Sequence, residues 1–152
     1  MKEMYELLAR LYAVQILADD LHYRSEGLAF YALHLLADRV KDGIADDIDG
    51  LRETFFMGEM KVNPPQTSES MKEAAEIAKA ISNDTNGSDT NHTLVFRLRD
   101  AVNSVIHIIE TIKRGAGNGE GAIVIYSGTA AVLDGISQKM MVAYALLDRT
   151  SR

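Results

Sequence analysis

The chain has 152 residues, 47% of them hydrophobic, and a net charge of −6. That length and apolar content suit a single domain, residues 1–152, around one sizeable core. There is no cysteine, which excludes disulfides, thiolate metal sites and cysteine nucleophiles; the negative balance argues against nucleic-acid binding, which needs concentrated positive charge.

Proline is confined to Pro64 and Pro65, while alanine, leucine and glutamate are common, so an all-α fold is expected. Over residues 3–25, Leu7, Leu8, Leu11, Val14, Ala18 and Leu21 recur at helical steps and predict a first helix, with His22 at its end. Gly27 breaks that pattern. A second helix is expected over residues 29–58, on Phe30, Leu33, Leu36, Val40, Ile44, Ile48, Leu51 and Phe55; Gly43 and Gly50 are its weak points. Asp42, Asp46 and Asp47 on this helix read as solvated surface residues.

Asn63 to Thr67, with its two prolines, ends the second helix. A short helix over 69–82 follows, with Ser70 and Glu73 as a capping box. Asn83 to Thr90 is a polar loop whose aspartates do not complete a calcium-binding EF-hand spacing. A third long helix is predicted over 91–114, on Leu94, Leu98, Val102, Val105, Ile109 and Ile112; His107 is expected inside and His92 at the surface. Arg114 to Gly121 reads as a glycine-rich interhelical loop, because nucleotide-binding fingerprints need a preceding strand. Ala122 to Tyr126 is a short β-branched run. The last helix is expected over 128–148, through Ala131, Leu133, Ile136, Met140, Val142 and Leu146, with Met140 and Met141 packed in the bundle or a subunit contact. No apolar run approaches membrane-span length, and no leader-like segment precedes the first amphipathic pattern, so a cytoplasmic location is expected.

The chemistry concentrates in five residues: His22, His34, Asp38, Asp49 and Glu53. Asp38 follows His34 by four residues and Glu53 follows Asp49 by four, so on a helix each pair lies on one face. Asp38 and Asp49 are eleven apart and would share that face on a straight helix. Imidazole and carboxylate donors suit iron, and zinc or manganese would accept similar ligands. Eleven residues of helix rise about 16 Å, too far for one ion to be shared. Two copies of the helix packed antiparallel about a two-fold axis would instead bring the His34/Asp38 end of one against the Asp49/Glu53 end of the other, giving two equivalent intersubunit sites. Ordinary di-iron bundles use Glu-x-x-His pairs, and no such pair occurs here.

The stretch from His22 to Asp38, with its histidine–aromatic start, Gly27, Phe30, a second histidine at His34 and then Asp38, followed by the Asp49/Glu53 pair, resembles the Dps family of mini-ferritins. Gly128 to Ile136 is similar to the start of that family's last helix. The resemblance implies a ferritin-like four-helix bundle with a short extra helix between the second and third long helices. It also implies a hollow dodecamer built from two-fold dimers, with ferroxidase centres at the two-fold interfaces. All five residues would serve as metal ligands and catalytic groups. Fe²⁺ would be oxidised by hydrogen peroxide or dioxygen and stored as ferric mineral. The chain departs from the family pattern in three places: Tyr23 stands where tryptophan is usual, the segment from Gly115 to Ser127 is long, and the lysine-rich tail of DNA-binding members is absent. DNA binding is therefore not expected. The alternative is a ferritin-like helical assembly protein with vestigial or different metal chemistry.

Overall fold

The computed structural model describes residues 1–85, 89–115 and 124–152. The centre of the polar loop at 86–88, the glycine-rich stretch after Gly115 and the first half of the β-branched run lie outside the described residues. The described residues are helical and contain no strand. The helices are α1 (Lys2–Arg24), α2 (Phe30–Lys41), α3 (Ile44–Gly50), α4 (Thr67–Asn83), α5 (Asn91–Gly115) and α6 (Ser127–Thr150). A short 3₁₀ turn, Gly27–Ala29, enters α2, and a π-helical segment, Leu51–Glu59, continues α3.

The predicted stripe of α1 is wholly buried, and so are Met4, Ala9, Ala13 and Leu17. Burial extends beyond one stripe because α1 packs against α5, α4 and α2. Around it, α5 packs on α6, and α6 on the π-helical segment, α2 and α3. The two ends of the second expected helix then return to α1, so the long segments surround a common core, with α4 laid over α1. Every predicted core position of α5 is buried.

Three expectations fail for local reasons. The second helix is not continuous: Asp42 is extended at ψ 128° and Gly43 is left-handed at φ 80°, a conformation that glycine adopts without a Cβ penalty. The Ser70/Glu73 capping box does not form, because α4 already begins at Thr67 after Gln66 and buries Ser70 within it. In α6 the buried residues are Thr129, Leu133, Ile136, Met140, Ala143 and Leu147. Their alternating steps of four and three define a narrow heptad seam, which leaves Ala131, Met141 and Val142 exposed.

The start of α6 is stabilised from a distance. Tyr126 precedes the helix and supplies no capping hydrogen bond. Glu59, at the end of the π-helical segment, takes that role: its carboxylate accepts the Thr129 N–H at 2.9 Å and the Thr129 hydroxyl at 2.5 Å. This satisfies an orphan helix donor and places a negative charge at the positive end of the helix dipole. The expectation that nothing approaches a membrane span also needs amending. By length and composition α6 passes that test, at a mean hydropathy of 1.2 with 28% of the window buried. A core helix of a soluble protein passes it equally, and the α6 seam is packed on its neighbours.

Candidate metal centre

His22 lies in the last turn of α1, and His34 and Asp38 lie one turn apart on α2. The turn between the helices, through Gly27 at φ 78°, folds α2 back so that the three side chains meet. One ligand atom from each lies within 4.8 Å of the others. The imidazole rings of His22 and His34 stack with centroids 3.6 Å apart and a tilt of 35°.

Their hydrogen bonds fix the tautomers. His22 Nδ1 is 2.9 Å from Asp38 Oδ1, and His34 Nδ1 is 3.2 Å from the His22 carbonyl. A carbonyl and an ionised carboxylate can only accept, so both Nδ1 atoms carry the proton in the neutral rings. Each Nε2 then keeps its lone pair, the form in which histidine binds a metal. Asp38 also stands behind His22 as a carboxylate that orients a ligating imidazole. The His22 side chain is 17% exposed, while that of Asp38 is 56% exposed. Tyr23 sets its ring edge-on to His22 at 4.5 Å, and the Phe30 ring lies tilted to that of His34 at 5.3 Å.

Asp49 and Glu53 do not join this cluster. Both are exposed, and neither makes a hydrogen bond or ion pair among the described residues. The face shared by Asp38 and Asp49 on a straight helix does not exist, because the Asp42–Gly43 break intervenes. Asp49 stands in α3 and Glu53 in the π-helical segment, whose wider turn changes the direction of side chains relative to an α-helix. Asp47, expected to be solvated, is instead gripped by Lys139 of α6 at 2.9 and 3.0 Å. His107 is exposed rather than interior, and His92 is exposed as expected.

Several supporting groups lie outside the reach of spacing arguments. Lys41 donates to Asp19 at 2.6 Å, tying α2 to α1; this hydrogen bond holds the lysine amine above its ordinary value. Asn91, the first residue of α5, grips Glu26 in the turn between the two histidine-bearing helices. Beside it, buried Arg97 donates to Asp89 at 2.7 Å and to the Thr85 hydroxyl at 2.7 Å, while Arg24 also pairs with Asp89. The Arg97 hydrogen bond holds the Asp89 carboxyl below its ordinary value, and burial pushes the neighbouring Asp20 carboxyl up. Only the helix-start position of Asn91 was visible in the sequence.

No model of a known protein family matches the chain, and no curated protein matches it.

Proposed function

We propose that this chain is a ferroxidase and iron-storage mini-ferritin of the Dps kind, acting in the cytoplasm as a ferritin-like bundle. The observation that carries the reading is the cluster of His22, His34 and Asp38, which meets within one chain with both Nε2 lone pairs available. Nitrogen and carboxylate-oxygen donors together suit Fe²⁺, as they would suit zinc or manganese. Two imidazole Nε2 atoms, with the Asp38 carboxylate held behind His22 at Nδ1, leave coordination positions open. Asp49 and Glu53 of a second copy would fill them, because both are exposed and their side chains are unengaged among the described residues.

A second copy is also favoured by the surface around the cluster. Tyr23, Leu28, Tyr31 and Leu35 are all exposed, Leu28 most of all, and three of them follow at helical steps from the turn into α2. Exposed large apolar side chains grouped along one stretch in this way favour an interaction site. An isologous contact there would make two equivalent centres per dimer, and six such dimers would make the dodecamer that the family resemblance implies.

Fe²⁺ is the substrate. Two Fe²⁺ ions each give one electron to hydrogen peroxide, the O–O bond breaks, two protons are taken up, and two waters leave. The products are two Fe³⁺, and no hydroxyl radical is released. Carboxylates stabilise the added positive charge as each ion is oxidised, and Asp38 steadies His22 throughout. The test is anaerobic Fe²⁺ loading followed by hydrogen peroxide, with absorbance and particle size read together. Rapid oxidation with soluble ferric mineral in a dodecamer-sized particle is the expected result. Slow oxidation with precipitate, or a particle no larger than a dimer, would reject the storage function.

A further inference from the structure

The two histidines stand on different helices, so their separation depends on the turn that joins α1 to α2. That turn is held from α5, across 65 residues of sequence, by an amide side chain. Asn91 Oδ1 accepts the Glu26 N–H at 2.8 Å, and Asn91 Nδ2 donates to the Glu26 carbonyl at 2.7 Å. A side-chain amide that meets both polar groups of one residue imitates a strand partner and leaves that residue little rotational freedom. Glu26 immediately precedes Gly27, where the backbone turns left-handed to launch α2.

A second tie bears on the same turn. Arg24, two residues beyond His22, pairs with Asp89, which Arg97 holds in place. Both ties therefore come from the start of α5 and reach the last turn of α1 and the turn beyond it.

We infer that Asn91 is a positioning residue: through its two hydrogen bonds to Glu26 it sets the His22 ring against the His34 ring. This rests on the metal reading of the cluster, but its geometric part stands without a metal. Without the amide, Glu26 and Gly27 are free to shift, and the stacked rings at 3.6 Å lose their fixed register. A site positioned to a few tenths of an ångström by supporting hydrogen bonds loses affinity when they go.

The experiment uses the intact protein with Co²⁺ as a spectroscopic probe, together with metal-free proton NMR of the histidine rings. Asn91→Ala removes both bonds; Asn91→Asp keeps the shape and the acceptor but loses the donor. Asn91→Ala should weaken Co²⁺ binding by about 10-fold, in the range of outer-sphere substitutions, and alter the visible Co²⁺ band. Asn91→Asp should do the same to a smaller degree. In both variants the mutual ring-current shifts of His22 and His34 should shrink. If Asn91→Ala does not fold, Asn91→Asp decides. Unaltered ring shifts, Co²⁺ affinity and band in the folded variants would overturn the assignment. If the unmodified chain takes up no Co²⁺, the metal reading fails, while the ring shifts still test the clamp.

Discussion

The two halves of the proposed centre are built on opposite principles. His22, His34 and Asp38 converge inside one chain and satisfy one another by hydrogen bonds before any partner arrives. Asp49 and Glu53 are exposed, and their side chains meet no partner among the described residues. Yet the carboxylate half is not loosely carried. Lys139 grips Asp47 and Glu59 caps α6 through Thr129, so α6 holds the α3–π segment at both ends. The histidine half is held instead from the start of α5. One half is preassembled and the other is presented. That division suits a site completed by association, because a rigidly presented ligand needs less ordering when the second copy docks.

The sharpest way to break this comparison is to remove the presented half. Asp49→Ala with Glu53→Ala should slow Fe²⁺ oxidation by at least about 100-fold, more than the loss of outer-sphere groups. The His22/His34 pair should still bind Co²⁺, because it does not depend on those carboxylates. Stopped-flow oxidation and Co²⁺ titration read the two effects apart. Undiminished oxidation in the double variant would remove Asp49 and Glu53 from the site altogether.

Mixing distinguishes one chain from two. A His34→Ala chain and a Glu53→Ala chain are each expected to be inactive alone. Co-refolded in equal amounts, half of the dimers are mixed, and each mixed dimer carries one intact site. About a quarter of full activity should return if the two-fold contact is isologous. No recovery, with mixed dimers demonstrated by mass, would mean that each centre draws its ligands from a single chain.

The sequence disclosed these halves unequally. The buried faces of α1 and α5 were legible because apolar side chains at helical spacing are the dominant energetic signal. His34 and Asp38 were legible as a pair because one turn of helix relates them. The meeting of His22 with both was not a matter of spacing; it depends on a left-handed Gly27 and a clamp from α5. The break at Gly43 was only partly legible, since a glycine in a helical pattern marks weakness without fixing a conformation. The last helix misled for a different reason. Its seam is narrow, so apolar Val142 and Ala131 fell in the pattern although the core uses Ala143 and Leu147. The role of Glu59 was invisible, because its partner Thr129 lies 70 residues away.

A smaller effect tests how the presented half is held. Glu59→Ala leaves the first turn of α6 without its carboxylate cap and should cost about 1 kcal/mol. For a domain of this size that is a fall of ~3 °C in melting temperature. Oxidation should slow as well if the π-helical segment relies on this tie to aim Glu53. A variant that melts lower but oxidises at the full rate would limit Glu59 to stability.

The smallest expected effect concerns the support of the histidine half and appears only in acid. The hydrogen bond from Arg97 holds the Asp89 carboxyl below its ordinary value of 3.8. A carboxyl with a depressed folded-state value contributes stability that is complete above the unfolded value and is lost as pH falls through the folded one. The contribution should therefore persist at neutral pH and fade below about 3.8, where the unfolded chain begins to take up the proton first. Asp89→Asn removes the titrating group. Its stability, measured by urea unfolding from pH 6 to pH 2.5, should fall less steeply in acid than that of the unmodified chain, from a lower starting point. Parallel curves would mean that the Arg24–Asp89–Arg97 contact carries no net linkage, leaving Asn91 as the main tie between α5 and the turn.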